Sequence, residues 1–197
     1  MAIVMAACQT DIYKIAGTVT GYEEGDTFII ADLSKTPIDT LVVKKSKFKL
    51  KGHAATVTPA LIYAKKNEND VVMFFKEPGT IILNMTGDAS SSRVSGTKAN
   101  DGLQALTDHL NDLESQFIQL ENIFNDTTIE ESHRKKYLEG YDRLQNDLSQ
   151  LFYQAALNNI DNETGLFIIT QLKDYLTANE VKELLEKMPE EMRAKIP

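Results

Sequence analysis

Two periodicities divide the chain. From residue 12 to about 97, apolar positions recur at every second residue in short runs closed by turn-forming residues. Such runs cover residues 13–19, 26–33, 38–43, 47–52, 59–64, 71–75 and 80–85. Gly21 and Gly25 bracket the first turn, and Pro37 opens the third run. Within 47–52 the alternation is strict, so Phe48 and Leu50 point inward while Lys47, Lys49 and Lys51 stay wet. The stretch 89–92, Ala-Ser-Ser-Ser, reads as a mobile loop before a last short strand around Val94. About seven short strands with regular turn signals predict an antiparallel β-sandwich or open barrel.

After Gly96 the period lengthens. Leu103, Leu106, Leu110, Leu113, Phe117, Leu120 and Phe124 step alternately by three and four, a heptad seam. A second seam runs through Tyr137, Tyr141, Leu144, Leu148, Leu151 and Ala155. Asn125, Asp126 and Thr127 separate the two, and Thr128 with Glu131 forms a candidate capping box for the second helix. Gly140 lies inside that helix at a cost of about 1 kcal/mol relative to alanine. Two matched seams on a short connection predict an antiparallel helical hairpin. A break at 158–162 leads to an apolar helix containing Leu166, Ile168 and Ile169. Thr177 and Glu180 cap a last helix that Pro189 stops. The fold class expected is therefore α+β, with a β-domain over 11–97 and a helical region over 98–197.

Charge sharpens that boundary. Residues 1–100 carry a balance of +2 and residues 101–197 one of −10, for a net −8. An acidic half repels phosphate backbones, so nucleic acid is not an expected partner. Hydrophobic residues at 42% are ordinary for a folded chain, and no apolar run reaches the roughly 18 residues of a membrane-spanning helix.

Candidate chemistry is sparse. His53, His109 and His133 lack partners at metal-ligand spacing, so no metal is expected. Neither a phosphate-cradling glycine loop nor a nucleophile elbow occurs, and no cofactor or catalytic residue is assigned. Glu77, at the turn 75–79, reads as a carboxylate that satisfies backbone N–H groups. Lys44, Lys45, Lys47, Lys49 and Lys51 cluster, with the last four on one solvent face, as expected of an edge strand protected from aggregation. The chain has one cysteine, Cys8, and so cannot run dithiol chemistry by itself. Its setting, Met5-Ala6-Ala7-Cys8 after Ile3-Val4, looks like the end of a bacterial lipoprotein signal, with residues 1–10 as signal remnant and tether. Cys8 is then the lipidated residue.

Five motifs occur in one order: Tyr13-x-Ile15-x-Gly17; Ile38-Asp39-Thr40; Lys47-Phe48-x-Leu50-Lys51-Gly52; Glu77-Pro78-Gly79-x-Ile81; and Val94-Ser95-Gly96-Thr97-x-x-Asn100-Asp101. Together they resemble the domain of unknown function (family 4369) found at the front of Bacteroidetes lipoproteins. Lys45-Ser46 stands where members carry a glycine-containing hairpin turn. The resemblance implies a lipidated cysteine, a β-domain, a helical segment, and commonly a thioredoxin-like domain, for which this chain has no counterpart up to Pro197. The expectation is a non-catalytic, lipid-anchored module of the cell envelope, periplasmic or on the outer surface, that accompanies a thiol–disulfide oxidoreductase and meets a protein partner. One alternative is a binding module for a small molecule, peptide or glycan, with a cleft between sheet and helices lined by Phe28, Tyr63 or Phe74. Another is the front portion of a longer membrane-anchored oxidoreductase.

Overall fold

In the computed structural model the described residues are 11–125 and 131–196, with side chains in the second helix described from residue 134 onward. The chain divides after Asp101 into two compact units.

Among the described residues the first unit holds eight strands: β1 (Ile12–Val19), β2 (Thr27–Ala31), β3 (Pro37–Val42), β4 (Lys47–His53), β5 (Thr58–Ala64), β6 (Asn67–Lys76), β7 (Gly79–Met85) and β8 (Arg93–Ser95). They form two four-stranded sheets, ordered β4-β1-β7-β8 and β3-β2-β5-β6. Neither sheet closes on itself. Alternation explains which faces meet: Tyr13, Ile15 and Val19 of β1, and Ile81, Leu83 and Met85 of β7, are buried, while Lys14, Thr18, Ile82 and Asn84 between them are exposed. Phe28, Ile30, Ile62 and Phe74 come from the other sheet, and the rings of Phe28 and Phe48 meet at 5.3 Å across the interface. One pairing departs from the antiparallel expectation, since β1 and β7 run parallel. Alternation carries no direction, so a parallel neighbour reads the same as an antiparallel one in sequence. The stretch 89–92 is also not a loose loop. Ser90 and Ser91 hydrogen-bond Asp88, and Ser92 is buried.

The second unit contains α1 (Lys98–Asn125), whose first turn belongs to the β-unit, followed by α2 (Glu131–Asn158), α3 (Glu163–Gln171), α4 (Ala178–Lys187) and α5 (Glu190–Arg193). The antiparallel hairpin is present. Phe117 meets Tyr141 edge-to-face at 5.6 Å and Phe124 meets Tyr137 at 4.5 Å, so rising numbers on α1 meet falling numbers on α2. A Cβ on Gly140 would sit 3.1 Å from Leu120 Cδ2, so the glycine inside α2 lies where the two helices approach closely. Burial along the seam is uneven. Leu103, Leu106 and Leu144 are buried, yet Phe124 is 45% and Tyr141 39% exposed. Two helices alone half-cover each other; full burial needs the third layer. That layer packs only near the base, where Leu106, Phe152, Ala156, Ile168, Ile169, Leu184, Met188 and Met192 form one core. Asn162 caps α3 by accepting the Thr164 N–H, and the Thr177/Glu180 capping box opens α4 as expected. Thr128 and the Glu131 side chain, the other capping box, lie outside the described residues.

Candidate functional site

The family-like motifs resolve into three constructions within the β-unit. The first joins β1 to β4. In the antiparallel register Gly17 faces Phe48 and Tyr13 faces Gly52. A Cβ on Gly17 would lie 2.1 Å from the Phe48 ring, and one on Gly52 would lie 2.5 Å from the Tyr13 ring. Each aromatic therefore lies flat over the opposite glycine, and the two pairs are reciprocal. Tyr13-x-Ile15-x-Gly17 and Lys47-Phe48-x-Leu50-Lys51-Gly52 are thus two halves of one interlock.

The second construction ties the start of α1 to the turn between β6 and β7. Asn100, fully buried, accepts the Phe75 N–H at 2.8 Å and donates to the Phe75 carbonyl at 2.9 Å. The Glu77 carboxylate accepts the N–H groups of Ala99 (3.0 Å) and Asn100 (3.3 Å), which are orphan donors of the first helical turn. Asp101 accepts the Gly96 N–H at 2.8 Å. Gly96 has φ +97°, and a Cβ there would stand 2.4 Å from the Thr80 carbonyl, so only glycine fits. Glu77 therefore satisfies backbone donors, as the sequence reading expected, and does so as the N-terminal anion of α1.

The third construction is one that sequence reading missed. Asp70 is fully buried, and its carboxylate accepts the Tyr22 hydroxyl, the Gly87 N–H at 2.9 Å and the Ser92 hydroxyl at 2.8 Å. Ser92 Oγ in turn accepts the Thr86 N–H at 2.9 Å. Burial first, and then the hydrogen bond to Asp70, pushes the Tyr22 phenol well above its usual range. The signal was available: Asp70, Val72 and Phe74 share the inward parity of β6, which places a carboxylate in the core. Both Asp70 oxygens accept from within the cluster, and the Ser92 proton is directed at the carboxylate.

Other candidates fall away from any centre. His53 and His109 are exposed, His109 Nδ1 resting 2.7 Å from the Ala105 carbonyl; the His133 side chain lies outside the described residues, as does Cys8. Among the described residues, no three His, Cys, Asp or Glu side chains gather as metal ligands. Phe28, Tyr63 and Phe74, the aromatics suggested for a ligand cleft, are instead buried in the β-unit: Phe28 and Phe74 share the inward parity of Ile30 and Val72, while Tyr63 has the opposite parity from Ile62 and carries Lys35 Nζ 6.0 Å from its ring.

Among the described residues, β3 and β4 flank an open groove of about 600 Å³. Its apolar part is Leu41, Val42, Phe48 and Leu50, and Lys44, Lys45, Lys47 and Lys49 rim it. The connecting turn is tight: Lys44 and Lys47 exchange backbone hydrogen bonds of 2.8 and 3.1 Å. Lys45 and Ser46 take φ of 53° and 55°, the two left-handed positions of a type I′ turn. Non-glycine residues thus keep the turn geometry for which glycine is the usual choice. The Glu24 carboxylate supports it by accepting the Lys45 N–H at 2.6 Å.

No curated protein matches the chain. The family model for the Domain of unknown function (DUF4369) matches residues 13–103, from the Tyr13 interlock to just past the Asn100 tie. The β-unit, together with the first turn of α1, is therefore a member of the DUF4369 family.

Proposed function

We propose that the protein is a non-catalytic interaction module of the bacterial cell envelope, held at a membrane by a lipid on Cys8 and working beside a thioredoxin-like thiol–disulfide oxidoreductase. The observation that carries the reading is the use to which the motif residues are put. Glu77, Asn100 and Asp101 are consumed in satisfying backbone groups, and Tyr13, Gly17, Phe48 and Gly52 in packing. Residues spent on building a rigid β-unit support presentation of a surface more than turnover of a substrate. The small-residue run before Cys8 supports the anchor. Several acyl chains, each CH₂ contributing about 0.8 kcal/mol, hold a protein at a bilayer durably.

Mass spectrometry of native protein extracted from membranes tests the anchor. A mature chain beginning at acylated Cys8 is expected, and an unmodified chain retaining Met1 refutes it. The coding sequence beyond the Pro197 codon decides whether the oxidoreductase partner is a separate protein or a continuation of the same polypeptide.

A further inference from the structure

β3 and β4 are consecutive and joined by residues 43–46, with a two-residue turn at Lys45 and Ser46, yet they lie in different sheets. Beyond the Lys44–Lys47 bridge, β3 pairs with β2 and β4 with β1, and neither pairs with the other. Each is the terminal strand of its sheet. The groove between them is therefore walled by two strand edges whose outward N–H and C=O groups have no strand partner, the arrangement that accepts an added strand. Its chemistry is equally one-sided. Lys47 and Lys49 project at alternate positions, about 6.6 to 6.8 Å apart along the strand, which is also the spacing of same-face side chains on a paired neighbour. All four rim lysines are exposed, and none makes an ion pair with a described residue. The acids close by are engaged locally: Glu24 accepts the Lys45 N–H, and Asp39 accepts the Thr40 N–H.

We propose that this groove takes an extended peptide strand with acidic side chains at alternate positions, added edge-on to β4. Main-chain hydrogen bonds supply its hold, and carboxylates opposite Lys47 and Lys49 set its register. The apolar part formed by Leu41, Val42 and Leu50 receives the intervening side chains. Nucleic acid fits worse, because a half of the chain carrying −10 repels it. A bilayer is flat and has no backbone to pair with a strand edge. The proposal deepens the interaction-module reading by naming the partner's chemistry, and it does not depend on a lipid at Cys8.

The test titrates the full unlipidated chain into a fluorescein-labelled peptide, Thr-Glu-Val-Glu-Val-Glu-Thr, followed by anisotropy at low salt. Saturable binding is expected, weakened at least tenfold by Lys47→Glu with Lys49→Glu and kept by Lys47→Arg with Lys49→Arg. Replacing the peptide's valines by proline leaves its charge but removes N–H donors, and is also expected to weaken binding at least tenfold. Circular dichroism confirms that the variants remain folded. Equal affinity for the proline peptide would reduce the effect to charge adsorption and overturn strand addition. Unchanged affinity in the Lys→Glu pair overturns it too. So does an absence of peptide binding, including the case where phosphatidylglycerol vesicles bind through the same lysines. Failure of the Cys8 acylation test leaves all of these outcomes readable, so the two readings fail separately.

Discussion

Asn100 does what a backbone strand partner would otherwise do: it closes both hydrogen-bonding groups of Phe75 in a place water does not reach. Asn100→Ala removes the side-chain acceptor of the buried Phe75 N–H and one of the donors to its carbonyl, which keeps the Glu77 N–H at 3.1 Å, and should destabilise the β-unit by about 1 to 3 kcal/mol. The urea midpoint should fall with an unchanged slope; a midpoint within error of wild type would show that the tie carries no stability. Tyr22 supplies a second residue-scale prediction through pH. Its folded-state pKa lies above the unfolded value of 10.0, so above that pH the unfolded chain releases its phenolic proton first. The stability from the Tyr22–Asp70 contact is thus fully present below pH 10 and is lost as pH rises through the elevated folded value. Tyr22→Phe should be less stable than wild type at neutral pH, and the gap should narrow above pH 10. A gap that stays constant or widens there would contradict the assigned contact.

At the scale of elements, the β1–β4 pair shows why two glycines sit in strands that otherwise favour side chains. Gly17→Ala drives a methyl into the buried Phe48 ring and should cost about 1 to 3 kcal/mol by overpacking. The same substitution in a Phe48→Leu background should cost markedly less, because the clash has been removed. A double-mutant cycle with no coupling would refute the interlock. The helical hairpin illustrates the opposite case, in which an element obeys its pattern but not uniformly. Its heptads continue to Phe124, while α3, α4 and α5 build the core with Leu106, Phe152 and Ala156 at the base. Seam residues at the tip keep their aromatic pairing and lose their burial.

For the whole molecule, one thiol limits what the chain can do alone. A mixed disulfide formed on Cys8 has no second cysteine in the chain to resolve it. The chain by itself should not accelerate dithiothreitol-driven insulin reduction above the rate of buffer. Turnover above that rate would require a reductase chemistry that the single-cysteine argument excludes. Charge is distributed at the same scale. Residues 101–197 carry a balance of −10 against +2 for residues 1–100, and Lys44, Lys45, Lys47 and Lys49 of the β-unit gather along one free edge.

Much of this was written in local spacing. Period-two runs located the strands, heptads located α1 and α2, and Thr177 with Glu180 marked the start of α4. A side chain's inward or outward parity follows from strand geometry alone, which is also why Asp70 could have been recognised as a buried carboxylate from its step with Val72 and Phe74. Glu77 was readable as a turn carboxylate, but its donors come from Ala99 and Asn100, more than twenty residues away in sequence. Pairing partners and strand direction were likewise beyond reach, because alternation is identical for parallel and antiparallel neighbours. β7 beside β1, and Gly17 beneath Phe48, are consequences of which strands meet. The groove belongs to the same class. The five lysines were visible in sequence, but only the assignment of β3 and β4 to different sheets left an open edge beside them. The sequence by itself determined the elements, their inward faces and their charge; tertiary structure decided which edges were used up in pairing and which remained free to bind.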